Sequence, residues 1–206
     1  MPEPVPAPES VPGVNGQAFV ADCARVLTDA FAREPSTSWI CGASTAVRGR
    51  WFDATLRAQA TLPGVRRYTL AGVDGRCTAA AVLTPPGLAP GAGTQARWAA
   101  RTLLGCGPRP LRRTLRYLHV TEAGVPAGSW TLEFIGVVPE AAGRGAGRLL
   151  LDRLLGDVPP ASGVFLTTAD PENVFVYRHF GFTTLRQLSV GPLDVTAMWR
   201  RGAGGP

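Results

Sequence analysis

Phe134-Ile135-Gly136-Val137-Val138-Pro139-Glu140-Ala141-Ala142-Gly143-Arg144-Gly145-Ala146-Gly147-Arg148-Leu149-Leu150-Leu151 reads as a hydrophobic strand, a glycine-rich turn and the start of an apolar-faced helix. Gly143, Gly145 and Gly147 leave backbone N–H groups unshielded, and the following helix adds the partial positive charge of its N-terminus at the same place. The stretch is built for an anion, and a pyrophosphate fits it.

Its register excludes the commoner pyrophosphate binders. A dinucleotide loop of the form G-x-G-x-x-G fails whichever glycine it starts from, because Arg148 or Leu150 stands where the third glycine belongs. A nucleoside-triphosphate loop needs a lysine on the phosphates, and the sequence has none. The same absence rules out Schiff-base chemistry on lysine.

The remainder of the composition describes the background. The net charge of +6 over 206 residues is carried by arginine alone. Cys23, Cys41, Cys77 and Cys106 never form a C-x-x-C pair, so a zinc ribbon and a redox motif are both excluded, no metal site is expected, and the thiols read as reduced. Pro2, Pro4, Pro6, Pro8 and Pro12 mark residues 1–15 as a disordered leader. Residues 16–201 read as one domain and 202–206 as a flexible tail. No signal-peptide pattern or membrane-length apolar run occurs, so a soluble, cytoplasmic protein is expected.

Outward from the glycine turn, periodicity predicts a helix over 16–33, a polar loop holding Trp39 and Ile40, and a helix over 44–60. A hairpin follows over 67–84, turning at Asp74-Gly75. A helical region over 95–120 is broken between Gly105 and Pro110. The strand over 129–138 precedes the turn. A short strand over 163–168, a helix over 171–180 and a closing hairpin over 183–200 complete an α/β (α+β) pattern, a mixed sheet with helices on both faces. Arg109, Arg112, Arg113 and Arg116 form a basic helix face. It reads as a solvated face rather than a nucleic-acid or anion site, because no nucleic-acid module accompanies it. Trp39, Trp51, Tyr117 and Trp199 are candidates either for an aromatic pocket or for the core.

Two motifs stand together at a telling separation: Val137-Val138-Pro139 running to Gly147, and Pro171-Glu172-Asn173-Val174-Phe175-Val176-Tyr177 running to Gly181-Phe182. In this pair the chain resembles the GNAT-type N-acetyltransferases. Ala30-Phe31 with Pro35, Val82-Leu83-Thr84-Pro85 and Met198-Trp199-Arg200 resemble the puromycin N-acetyltransferase-like branch. The resemblance implies a mostly antiparallel sheet with two splayed parallel central strands, acetyl-CoA as co-substrate, and a small-molecule amine as acceptor.

By the same resemblance Ile135, Val137 and Val138 offer backbone bonds to pantetheine, and the N–H groups of Gly143, Arg144, Gly145, Ala146, Gly147 and Arg148 hold the pyrophosphate. Arg144 or Arg148 adds a charge-assisted contact, or else both are a solvated helix end. Asn173 and Tyr177, four apart, share a helix face at the ligand. Tyr177 matches the general acid for the departing thiolate, a transfer uphill by roughly 2 kcal/mol. Strand alternation puts Thr131, Glu133, Ile135 and Val137 on one face, making Glu133 the candidate base, with a water relay, His119 and Glu122 as alternatives. Ala142 and Leu166-Thr167-Thr168 depart from the family pattern, and no clear first strand precedes the first helix. A non-catalytic CoA- or partner-binding module, or transfer of another acyl group, are the competing readings. Nucleic acid is not an expected partner, and an exposed closing hairpin is compatible with a homodimer.

Overall fold

The structure is a computed structural model describing residues 9–10 and 17–202. The tail from 203 onward and most of the leader lie outside the described residues. Glu9–Ser10 (β1) pairs antiparallel with Tyr68 and Thr69, so the first strand falls inside the stretch expected to be leader.

Three helices come next: α1 (Gln17–Ala30), α2 (Pro35–Cys41) and α3 (Thr45–Ala60). Helix α2 replaces the expected loop around Trp39 and Ile40. Its start is fixed by the Glu34 carboxylate, which accepts from the Ser36 N–H at 3.0 Å and the Thr37 N–H at 2.6 Å, while Pro35 supplies a first residue that needs no amide partner. The hairpin β2 (Arg66–Ala71) and β3 (Cys77–Thr84) leads to α4 (Ala92–Cys106) and α5 (Pro108–Glu122). The break between these two helices narrows to Gly107, which at φ +90° takes a conformation that only glycine adopts cheaply. Then follow β4 (Trp130–Val137), a 3-10 turn (Pro139–Ala141), α6 (Ala146–Asp157), β5 (Val164–Thr168), α7 (Pro171–His179), β6 (Thr183–Val190) and β7 (Leu193–Arg200).

The sheet order is β1-β2-β3-β4-β5-β7-β6, and only the β4–β5 neighbours are parallel. Strand β3 lies in its interior, between β2 and β4, and its run Ala79-Ala80-Ala81-Val82-Leu83 is wholly buried, as a strand covered on both faces requires. Ala79, Ala81 and Leu83 face α6, where Leu150 and Leu154 close the core with Leu132, Leu166 and Met198. Ala80 and Val82 face α1 and α3, against Val26, Leu27 and Phe52. The alanines let α1 lie close to the sheet. Gly136 carries the approach further: a Cβ there would sit 2.7 Å from the Ala30 Cβ. Phe31, Phe52, Trp51 and Phe134 stack edge to face on this side, with centroids 5.0–6.2 Å apart. Among the described residues no helix is long and apolar enough to cross a membrane.

Candidate active site

The parallel strands β4 and β5 pair only at their beginnings, Trp130 with Val164 and Thr131 with Phe165, with the Trp130 N–H donating to the Gly163 carbonyl at 2.8 Å. From Leu132 onward β4 has no partner on that side. Antiparallel pairing alternates which residues point at the neighbour. The Val138 N–H donates to the Thr78 carbonyl on the β3 side, so Ile135 and Val137 direct their own N–H and C=O groups into the opening. Val138 itself differs from the expectation. Its amide is taken by Thr78 and its carbonyl accepts from Ala141 at 3.0 Å, so its backbone serves the fold rather than the opening.

The glycine turn lies at the far end of the same strand. Gly143 and Gly145 have φ of +74° and +85°, and a Cβ on either would meet nothing within 4 Å, so the turn borders open space. No side chain caps the N-terminus of α6, and its first turn holds no acidic residue. Ala146 is buried and a Cβ on Gly147 would sit 3.4 Å from the Val137 side chain, so the helix start is seated on the strand. Uncapped amides above a free strand edge fit a pyrophosphate followed by an extended amide-bearing chain. Arg144 is exposed. Arg148 is 80% exposed and 3.7 Å from Asp152, a weak pair that leaves it free to reach a ligand.

A bulge then resets the chemistry of β4. Val82 pairs with Phe134 but Leu83 pairs with Leu132, so Glu133 is the extra residue. Trp130 and Leu132 pack toward α6, as do Ile135 and Val137, while Phe134 packs toward α1. The strict alternation expected from sequence therefore fails at Glu133, and Thr131 does not share a face with Ile135 and Val137. The bulge leaves Glu133 unpaired across from β3 and burial pushes its carboxyl up to about 7, with a hydrogen bond from Thr84 opposing the rise and the Glu122 carboxylate adding to it. Glu122, at the end of α5, is also raised by burial. His119 is exposed on the same helix.

Tyr177 packs on the core of the α6 face. Its ring rests on Phe182 with centroids 5.7 Å apart, and Asn173 lies one turn earlier on α7. Burial raises the phenol above the ordinary tyrosine range, and the Glu34 and Asp170 carboxylates raise it further. Glu34 caps α2 among the helices of the other face, so its charge acts on Tyr177 from that side of the sheet. Tyr117 occupies that other face. Its hydroxyl lies 3.0 Å from Thr167 Oγ1 on β5. Burial raises this phenol too, against the hydrogen bond with Thr167, and both Glu34 and Glu133 contribute to the rise. Glu34 thus acts on both Tyr177 and Tyr117, and Tyr117 also feels Glu133, so Glu34, Tyr117 and Thr167 join the residues singled out from sequence. A signal for Glu34 existed in Glu34-Pro35-Ser36-Thr37, an acidic cap before a proline-led helix. No local signal marked Thr167. Of the other aromatics, Trp51 is core, Trp199 donates to Ser129 Oγ at 2.9 Å, and Trp39 lines a surface pocket.

No family model and no curated protein matches the sequence. Solved structures do match. One from Corynebacterium glutamicum, described as histone acetyltransferase HPA2 and related acetyltransferase, superposes with a TM-score of 0.72 at 18% identity over 97% of each chain. Arylalkylamine N-acetyltransferase 2 of Aedes aegypti gives 0.61 at 12% identity, covering 94% of this chain and 97% of that one. A GCN5-related N-acetyltransferase of Kribbella flavida gives 0.50 at 13% identity, covering 94% and 96%. At such identities the likeness is one of architecture, and by that measure the chain has a GNAT-like fold.

Proposed function

We propose that the protein is an acetyl-CoA-dependent N-acetyltransferase that moves an acetyl group directly onto the amine of a small molecule. The observation that carries this reading is the opening between β4 and β5, with the Ile135 and Val137 backbone free along it and the uncapped N-terminus of α6 at its end. Acetyl-CoA supplies an activated acetyl thioester, and the chain supplies the binding, orientation and proton handling.

Ile135 and Val137 hold the pantetheine arm as a neighbouring strand would. The N–H groups from Gly143 to Arg148 hold the pyrophosphate, and Arg144 or Arg148 adds charge. Tyr177 donates a hydrogen bond toward the departing sulfur. Because burial holds its proton more tightly than an ordinary phenol's, its role is a strong hydrogen bond rather than full transfer before the bond breaks. Glu133, lifted to about 7, is poised to take the proton that an ammonium must lose before it can attack, directly or through a water. Glu34, fixed by the Ser36 and Thr37 amides, draws the cationic acceptor inward.

Direct transfer is favoured over an acetyl-enzyme. Burial raises all four cysteine thiols, Cys23 and Cys41 to about 12, and a protonated buried thiol is a poor nucleophile. The sequence likeness of Val82 to Pro85 and Met198 to Arg200 to the puromycin N-acetyltransferase-like branch directs the first acceptors to try toward aminonucleosides. The test is release of free CoA thiol with acetyl-CoA and a panel of amines, paired with calorimetric binding of acetyl-CoA. Turnover with any amine supports the reading. Tight binding without turnover across the panel leaves a binding module, and absence of binding removes CoA altogether.

A further inference from the structure

A surface pocket of about 290 Å3 opens beside the candidate active site, lined by Trp39, Arg112, Arg113, Arg116, Gly191 and Pro192. It lies where α2, α5 and the β6–β7 turn meet. The turn is pressed against the indole: Gly191 has φ +64°, and a Cβ there would lie 2.9 Å from the Trp39 ring. Arg113 is held in place, donating to the Trp39 carbonyl and standing 5.0 Å above that ring. Arg112 and Arg116 are exposed and take part in none of the three ion pairs found among the described residues. Burial and the like charges of Arg109 and Arg112 depress the Arg113 guanidinium, so an anion placed there relieves a repulsion already present.

The pocket adjoins the site through shared packing. Tyr117 follows Arg113 by one helical turn on the same side of α5, and Trp39 and Tyr117 both pack on Val190, Leu193 and Val195. On α2, Trp39 is five residues past Glu34, roughly 7 Å along the axis. Tyr117 thus lies between two kinds of charge: the carboxylates of Glu34 and Glu133, which both act on it, and the three guanidiniums of the same helix at the pocket mouth. That polarity sorts acceptors. A neutral or purely cationic amine gains nothing from the mouth. A molecule with an ammonium at one end and an acid at the other satisfies both poles in one orientation.

We propose that the Arg112–Arg113–Arg116 pocket binds an anionic group on the acceptor, a carboxylate or a phosphate, so that the substrate is an amine carrying an acid a few bonds from its nitrogen. This rests on the acetyl-transfer reading above. The concave shape and its size suit the acid-bearing end of a small molecule, whereas duplex backbone is met by a broad convex or grooved basic surface. The arginine face is in this respect more than a solvated helix side.

The test uses matched amines that differ only in the acid: an ω-amino carboxylate against its primary amide, and an amino-alkyl phosphate against the amino alcohol. Each is assayed for thiol release with acetyl-CoA and, separately, for calorimetric binding, on the full chain and on an Arg112→Gln/Arg116→Gln variant. Circular dichroism checks that the variant folds. Acid-bearing members are expected to lead their partners by 10- to 100-fold in kcat/KM, mainly through KM. The variant is expected to lose that preference while its acetyl-CoA affinity stays within twofold. Whichever pair shows the larger preference identifies carboxylate or phosphate. Acid-selective binding that the variant loses, without any turnover, upholds the pocket and overturns the transferase reading instead. Equal rates and affinities within both pairs, or a preference that survives in the variant, overturns the proposal. So does salt-sensitive binding of duplex DNA lost in the variant while none of the acids bind.

Discussion

The Tyr117 hydroxyl and Thr167 Oγ1 lie 3.0 Å apart, joining α5 to β5 on the stretch where β5 has left its parallel neighbour. A strand that gives up half of its ladder needs another anchor, and this bond supplies one from the helix layer. Removing either hydroxyl should loosen β5 beside the opening. Tyr117→Phe and Thr167→Val are each expected to cost about 1 kcal/mol in urea denaturation, and the double variant is expected to cost little more than either alone. Full additivity would mean that the two groups are not coupled.

Tyr177→Phe keeps the ring on Phe182 and removes only the hydroxyl. If that group acts on the departing sulfur, kcat falls about 10- to 100-fold while acetyl-CoA affinity measured by calorimetry stays within twofold. Unchanged kcat would take Tyr177 out of the chemistry.

Glu133 links activity to stability. Its folded-state carboxyl is raised from 4.5 to about 7, so its contribution to stability is fully present below about pH 4.5 and is lost as pH rises through 7. A glutamine pays no such penalty. Glu133→Gln is expected to match the parent at pH 4 and to exceed it by about 1–2 kcal/mol at pH 8, a range that allows for partial solvent screening. Its kcat is expected to fall by about 10- to 100-fold. Denaturation at the two pH values, with a pH–rate profile, checks both. A variant less stable than the parent at pH 8 would show that the carboxylate is compensated in the fold.

Gly136 is fixed by space alone. With a Cβ only 2.7 Å from Ala30 and 3.1 Å from the Phe31 ring, Gly136→Val must push α1 off the sheet. A loss of about 2–3 kcal/mol in denaturant unfolding is expected. A smaller loss would show that α1 shifts easily.

The arginines at the glycine turn should matter less than its backbone. Arg144→Gln and Arg148→Gln are each expected to weaken acetyl-CoA binding by no more than about fivefold, since both side chains are exposed. Gly145→Ala forces a side chain into φ +85° and should weaken binding at least as much while destabilising the fold by about 1 kcal/mol. Calorimetry with acetyl-CoA ranks the three.

What the sequence determined by itself was local. Glycines with positive φ, an apolar strand before them, a proline-led helix carrying Asn173 and Tyr177, and the D-G hairpin are each written in a few adjacent residues, because backbone conformation and periodicity are short-range properties. Most of the order of elements and the glycine turn follow from these. Helix α2 was legible only through its Glu34 cap, since a seven-residue helix is too short for periodicity to register. Tertiary structure decided the rest. The bulge at Glu133 depends on which β3 residue faces which β4 residue, a register that no single strand encodes, and it set the face on which the carboxylate lies. The divergence of β4 from β5 arises between segments some thirty residues apart. The arginines of α5 looked like a solvated face until α2 and the β6–β7 turn walled them in, because a pocket is made by the approach of distant surfaces and not by any one of them.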